Sequence, residues 1–259
     1  MNPYTHMLNP EIIQIPRGLG DAFYCYPIIR HLLQSKFVGL VTCYPDLFKN
    51  LYGNKGHYIY TNYERFKDAK TLKYTDRRSF KTTIFEDLLI SAGIKERIPF
   101  KIIWQKTFTD IFLRARAFKI IAQAIEANKN ICIVKKPAQA HMHKHREAYK
   151  NKLSVSPNVS EMQKEIWNRK DTTFFIGVGQ NETYVEKLVG LDLDLSDQLD
   201  LSDYITLVKI SDLVMTQVGH LIPIAQAFSK KLLIFYPKDP QFFYLRPEKI
   251  GQIYSKEKL

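Results

Sequence analysis

Glu11-Ile12-Ile13-Gln14-Ile15-Pro16-Arg17-Gly18-Leu19-Gly20-Asp21 is the stretch that decides how this chain folds. A short apolar run ends in a turn with two glycines. A helical period follows over 21–36, where Phe23, Tyr26, Ile29, Leu32 and Leu33 recur on one face. Residues 38–43 (VGLVTC) are rich in β-formers. Strand, glycine turn, helix and strand make a βαβ unit, and that unit predicts a parallel sheet.

The same punctuation recurs along the chain. A short helix is expected over 46–52, a strand over 57–61, a helix over 82–93 closed by Gly93, and a long helix over 108–128 whose polar face carries Arg114, Arg116 and Lys119. A second series then begins: strand 130–134 (NICIV), helix 159–168, strand 172–178 (TTFFIGV), helix 182–189, helix 204–210, strand 213–216, helix 221–228 and strand 231–236. The boundary between the two series falls near Asn128. The fold class is α/β, and the expected division is 1–128 and 129–259. Two such lobes facing one another place a ligand crevice at the carboxyl ends of their strands. The acidic run 192–203 (DLDLSDQLDLSD) reads as a surface connection.

Bulk composition narrows the class. Hydrophobic residues make up 45% of 259, enough for a full core. No apolar run approaches the ~18–20 residues that span a bilayer, and residues 1–15 lack the features of a secretion signal. The three cysteines, Cys25, Cys43 and Cys132, have no metal-type spacing and suit a reducing compartment, so the expected location is cytoplasmic. The net charge is +12, and it is one-sided. Residues 1–150 hold 25 Lys and Arg against 12 Asp and Glu, whereas residues 151–259 hold 13 against 14. Such asymmetry suits a polyanionic partner on the first part of the chain; a generally lysine-rich, soluble surface is the plainer reading.

The turn at 17–21 suits close approach of an anion to backbone N–H groups at a helix start. A dinucleotide fingerprint requires a third glycine where Phe23 stands, and no Gly-Lys-Ser/Thr follows for a Walker loop. Asp21 is either an ordinary acidic residue in a first turn or a general base facing a hydroxyl. Near the C-terminus, strand 213–216, the turn at Gly219 and helix 221–228 repeat the pattern, with Gln217 and His220 flanking the turn. Lys135 and Lys136 follow the NICIV strand, and Gly177, Gly179 and Gln180 follow TTFFIGV. Each set reads as a phosphate or nucleotide contact, or as plain turn and loop residues. His141, His143 and His145 alternate without an acidic or cysteine partner, so a basic loop is expected there rather than zinc. The segment 63–80 is aromatic and basic, suited to stacking on bases or to an ordinary core edge.

Together, Gly20-Asp21 with Pro27 and Arg30, and the distant stretch DLVMTQVGHLIPIAQAF…KKLLIFYP, resemble the two signatures of the heptosyltransferase-like glycosyltransferases of family 9. Gln217 and Val218 stand where that family usually places an acidic residue, and His220 follows Gly219 directly. The resemblance implies a GT-B fold of two facing Rossmann-like lobes. It implies an acceptor on the N-terminal lobe near Arg17, Gly18, Gly20 and Arg30, and a nucleotide-sugar on the C-terminal lobe near Lys135, Lys136, Gly177, Gln180, Gln217, Gly219 and His220. It also implies Asp21 as base in an inverting displacement that uses no metal and no cofactor, the nucleotide-sugar being the donor substrate.

The charge then falls on the acceptor lobe, so an anionic acceptor is expected. DNA bearing a hydroxylated base is favoured, as for the phage DNA glucosyltransferases, which also use a GT-B fold; the chain would then be a phage protein acting in a host cytoplasm. The alternatives are a lipopolysaccharide-core heptosyltransferase-like enzyme and a non-catalytic nucleic-acid-binding scaffold.

Overall fold

The computed structural model of the chain describes residues 10–74, 82–104, 115–136, 159–179, 188–217 and 219–235. The chain divides into two compact units, one running to Ile102 and the other beginning at Ile103.

The first unit starts with β1 (Glu11–Gln14), α1 (Leu19–Ser35) and β2 (Val38–Val41), the predicted βαβ unit. There follow α2 (Pro45–Tyr52), β3 (Ile59–Tyr60), β4 (Lys70–Thr71) and α3 (Ile84–Ala92). The strands form one parallel sheet in the order β3-β2-β1-β4. α1 buries Phe23, Cys25, Tyr26, Ile28, Ile29 and Leu32, more than one stripe, because it packs on β2 and also meets α2 and α3. Pro27 sits inside α1 and removes one helical N–H. α3 begins with a full capping box between Thr83 and Glu86 and ends at Gly93, whose φ of 81° is the left-handed geometry of a helix stop. Both ends are legible in the sequence for that reason.

The second unit contains α4 (Ala115–Glu126), β5 (Asn130–Lys135), α5 (Val159–Arg169), β6 (Thr173–Val178), β7 (Leu193–Asp194), α6 (Leu201–Ile210), β8 (Leu213–Gln217), α7 (Leu221–Ala227) and β9 (Lys231–Phe235). Its sheet is also parallel, in the order β7-β6-β5-β8-β9. β5 and β6 are buried nearly throughout, as expected of strands covered on both faces. Cys132, Met162, Ile166, Phe175 and Met215 form the heart of this core. α4 packs against β5, so the second unit takes in a helix that a division at Asn128 leaves with the first.

The acidic run 192–203 is more than a surface connection. It supplies edge strand β7 and then the start of α6, where Asp200 and Asp203 form a capping box. Leu195 and Ser196 are buried, and Asp192 accepts a hydrogen bond from the Phe175 N–H at 2.8 Å. Leu193 and Leu195 are shielded between the exposed Asp192, Asp194 and Asp197, so the acidic composition concealed a short strand. The expected helix at 182–189 lies largely outside the described residues.

Candidate functional site

In both units the chain reverses direction across the sheet at the first strand. The first sheet lays β2 and β3 to one side of β1 and β4 to the other; the second lays β6 and β7 to one side of β5 and β8 and β9 to the other. A crevice opens at such a switch point, at the carboxyl ends of the strands. The residues beyond β1 are 15–21, and those beyond β5 and β8 include Lys136, Gly219 and His220. One sequence motif therefore follows the first strand of its sheet, and the other follows β8, the strand beside β5 across the switch point of the second sheet.

In the first unit, Gly18 caps α1 with φ −74° and ψ 138° and offers no side chain to the helix end. Asp21 turns its carboxylate back toward this glycine: a methyl group added at Gly18 would lie 2.5 Å from Asp21 Oδ2. Asp21 is half-buried and acts electrostatically on two neighbours. Burial first, then the Asp21 charge, pushes the Cys25 thiol well up, so Cys25 is an inert buried thiol. Burial, then Cys43 and Asp21, raises the Tyr44 hydroxyl. Arg17 is exposed, with its guanidinium carbon 4.6 Å above the Tyr63 ring. Arg17, Gly18, Gly20 and Asp21 are thus together. Arg30 is not: it lies nine residues along α1, roughly 13 Å by helical rise and half a turn round the axis. Tyr44 and Tyr63 were missed as site residues. Tyr63 opens the aromatic, basic segment 63–80, but no spacing in a single sequence pairs it with Arg17.

In the second unit, Lys135 ends β5, and its ammonium lies against the next strand's turn: a methyl group added at Gly219 would sit 3.1 Å from Lys135 Nζ. Burial pushes Lys135 down to about 8. Among the described residues no carboxylate pairs with it. Burial, and secondly the Lys135 charge, pushes His220 down to about 3, so the imidazole is neutral at neutral pH. The Tyr204 ring meets it edge-on at 5.8 Å. Gln217 ends β8, and its carbonyl accepts a 2.8 Å bond from the Thr216 hydroxyl. Lys135, Gln217, Gly219 and His220 therefore belong together. The arrangement offers a desolvated cation, a close backbone approach and a neutral imidazole, which suit an anion.

Two expected donor residues are committed elsewhere. Lys136 Nζ bonds Asp194 Oδ2 at 2.6 Å. Burial alone raises the Asp194 carboxyl, but Lys136 and the Ser196 hydroxyl and N–H outweigh it and hold it below the usual range. Gly177 is covered by protein: a methyl group there would meet Leu191 Cδ1 at 2.7 Å and Lys136 Cδ at 3.3 Å. Its role is to let the Lys136 stem and Leu191 close over β6. Gly179 makes a turn at φ 138°, and its carbonyl accepts the Asp197 N–H at 2.8 Å. Gln180, Val218, His141, His143 and His145 lie outside the described residues. Among the described residues no cluster of three metal-ligating side chains occurs, and no helix is long and apolar enough to cross a membrane.

Two Rossmann-like units with parallel sheets define an α/β fold of the GT-B kind. Known structures bear this out. The dodecameric, iron-containing glycosyltransferase TibC of enterotoxigenic E. coli matches over 87% of this chain and 57% of its own, with a TM-score of 0.53 and 12% identity. TibC in complex with ADP-D-β-D-heptose matches over the same shares at 0.54 and 13%. A family 9 glycosyltransferase from Veillonella parvula matches over 92% of this chain and 85% of its own, at 0.51 and 10%. The chain thus spans 57% of the length of TibC and shares its fold. No family model and no curated protein sequence matches the chain.

Proposed function

We propose that this chain is a heptosyltransferase-like glycosyltransferase, moving a sugar from a nucleotide-sugar to a hydroxyl of an anionic acceptor. The observation that carries this reading is Lys135. A partly buried ammonium whose affinity for its proton is lowered by desolvation, with no carboxylate partner among the described residues, is poorly solvated unless an anion joins it, and it stands at the switch point where such folds bind ligands. A nucleoside diphosphate is an anion of that kind.

In this reading the first unit holds the acceptor. Asp21 takes the proton of the attacking hydroxyl, the acceptor oxygen bonds to the anomeric carbon from the side opposite the leaving group, and the bond to the diphosphate breaks. Lys135 stabilises the charge gathering on the departing diphosphate. Neutral His220 contributes a hydrogen bond or packing, not charge.

The sequence alone favours DNA among the anionic acceptors. The likenesses to heptosyl- and family 9 glycosyltransferases support the other alternative, a glycan acceptor of the lipopolysaccharide-core type, and nothing structural supports a modified base. The test is incubation with a panel of nucleotide-sugars, ADP-heptose among them, followed by mass spectrometry of core-type glycans and of hydroxymethylated DNA. Glycan gaining one sugar mass supports the reading. Transfer to DNA alone overturns the acceptor, and transfer to neither overturns the enzyme.

Gly18→Ala gives a sharper check. The backbone at Gly18 suits alanine, so stability should change by less than about 1 kcal/mol. The new methyl displaces the Asp21 carboxylate, and a base misplaced by about 1 Å lowers kcat roughly 10²-fold. Unchanged kcat would separate Asp21 from the chemistry. Metal independence is tested directly: transfer should survive EDTA. TibC is iron-containing, so loss of transfer on chelation, restored by iron, would place this chain with it instead.

A further inference from the structure

We propose that Tyr63 is a positioning residue, holding the Arg17 guanidinium at the end of β1 as a preset fork for an oxyanion of the acceptor. The proposal rests on the reading of the first unit as the acceptor side.

The Tyr63 ring is buried and held at its hydroxyl end. It is only 8% exposed. Its hydroxyl donates to the Ile15 carbonyl at 3.1 Å, and the Ile15 N–H in turn bonds the Val41 carbonyl at 3.2 Å. The ring is thereby tied to the same strand exit from which Arg17 departs two residues later. The guanidinium lies over the ring face, 4.6 Å from its centroid. A surface arginine ordinarily samples many rotamers, and stacking removes much of that freedom while leaving the N–H edge open. Among the described residues no hydrogen bond or ion pair engages that edge.

The neighbouring carboxylate explains why the oxyanion falls to Arg17 rather than to the helix start. Asp21 folds back over Gly18 and fills the first turn of α1, so a second anion is repelled from that turn. Arg17, stacked on Tyr63, keeps an anionic acceptor group clear of Asp21. The planar fork suits a phosphate or a carboxylate, each of which presents two oxygens in one plane.

The test reads binding without any sugar transfer. Protein labelled with ¹⁵N is titrated with inorganic phosphate, with sodium acetate and with sodium chloride at matched ionic strength, and the arginine Nε–Hε signals are followed. Arg17→Lys identifies the Arg17 signal by its loss. A saturable shift of that signal with phosphate or acetate, absent with chloride, is expected, and the two arms distinguish a phosphate-bearing from a carboxylate-bearing acceptor. Tyr63→Phe keeps the ring and should hold the dissociation constant within about twofold, whereas Tyr63→Leu should weaken it about fivefold. A shift equally produced by chloride, or no shift with either oxyanion, overturns the proposal. So does Tyr63→Leu binding as tightly as the native protein, or Tyr63→Phe binding as weakly as Tyr63→Leu. Because neither donor nor acceptor hydroxyl is present, failure here leaves the glycosyltransferase reading standing, and failure of transfer leaves this result standing.

Discussion

Asp21→Asn lowers kcat by about 10²–10⁴-fold while the protein remains folded, the range associated with losing a positioned general base. Asparagine has the same shape and keeps hydrogen-bonding capacity, but it cannot take the proton of an attacking hydroxyl. The carboxylate also lies in the first turn of α1, where negative charge favours the helix by about 0.3–1 kcal/mol. The melting temperature therefore falls by only a few degrees. Steady-state kinetics with thermal melting distinguish the two roles. Transfer lost with stability nearly kept marks a base. A protein that melts many degrees lower with transfer nearly intact marks a structural cap and ends the assignment. Retained acceptor binding in the inactive variant separates an enzyme from a non-catalytic binding scaffold.

Lys135→Met produces a more stable protein that binds its donor worse. Burial takes the Lys135 ammonium down to about 8, against about 10.4 in an unfolded chain. Below pH 8 both states are protonated and the folded state carries the full cost, on the order of 3 kcal/mol at most. Between about 8 and 10.4 the unfolded chain binds more protons, so native stability rises with pH across that window. Methionine fills similar space without charge. It should raise the melting temperature by several degrees near neutral pH and abolish the rise above pH 8. A charge-assisted bond to a diphosphate is worth about 1.5–3 kcal/mol, so affinity for the nucleoside diphosphate should fall about 10–100-fold by calorimetry. A variant that loses stability and keeps donor affinity would make Lys135 a structural residue and remove the main support for the donor site.

The fold was legible because its punctuation is local. Two glycines before Asp21, Gly93 and the apolar runs at β5 and β6 each act within a few residues, so the parallel α/β pattern could be read along the chain. The 192–203 segment was misread because its aspartates suggested a solvated loop, when Leu193 and Asp194 form β7 and Asp200 and Asp203 cap α6. Lys135 and Lys136 look alike in sequence. Only the sheet shows that adjacent residues on a strand face opposite ways, one toward Gly219 and the other toward Asp194. Gly177 resembled a nucleotide contact for the same reason: the side chains that cover it come from positions 136 and 191. The Arg17–Tyr63 stack joins residues whose pairing depends on the order of strands, which periodicity does not encode. The one-sided charge was real, but charge gives the sign of a partner and not its identity.

β7 has a further consequence. It is two residues long and, among the described residues, forms the outer margin of the second sheet, the kind of place where an open row of peptide groups invites another polypeptide to add itself. Aspartates at 192 and 194 flank that margin: one caps the Phe175 N–H of β6, and the other binds Lys136 and Ser196. A short border flanked by exposed aspartates is a poor template for sheet growth. The segment therefore helps keep neighbouring copies from joining edge to edge into fibrous aggregates, quite apart from any part in catalysis.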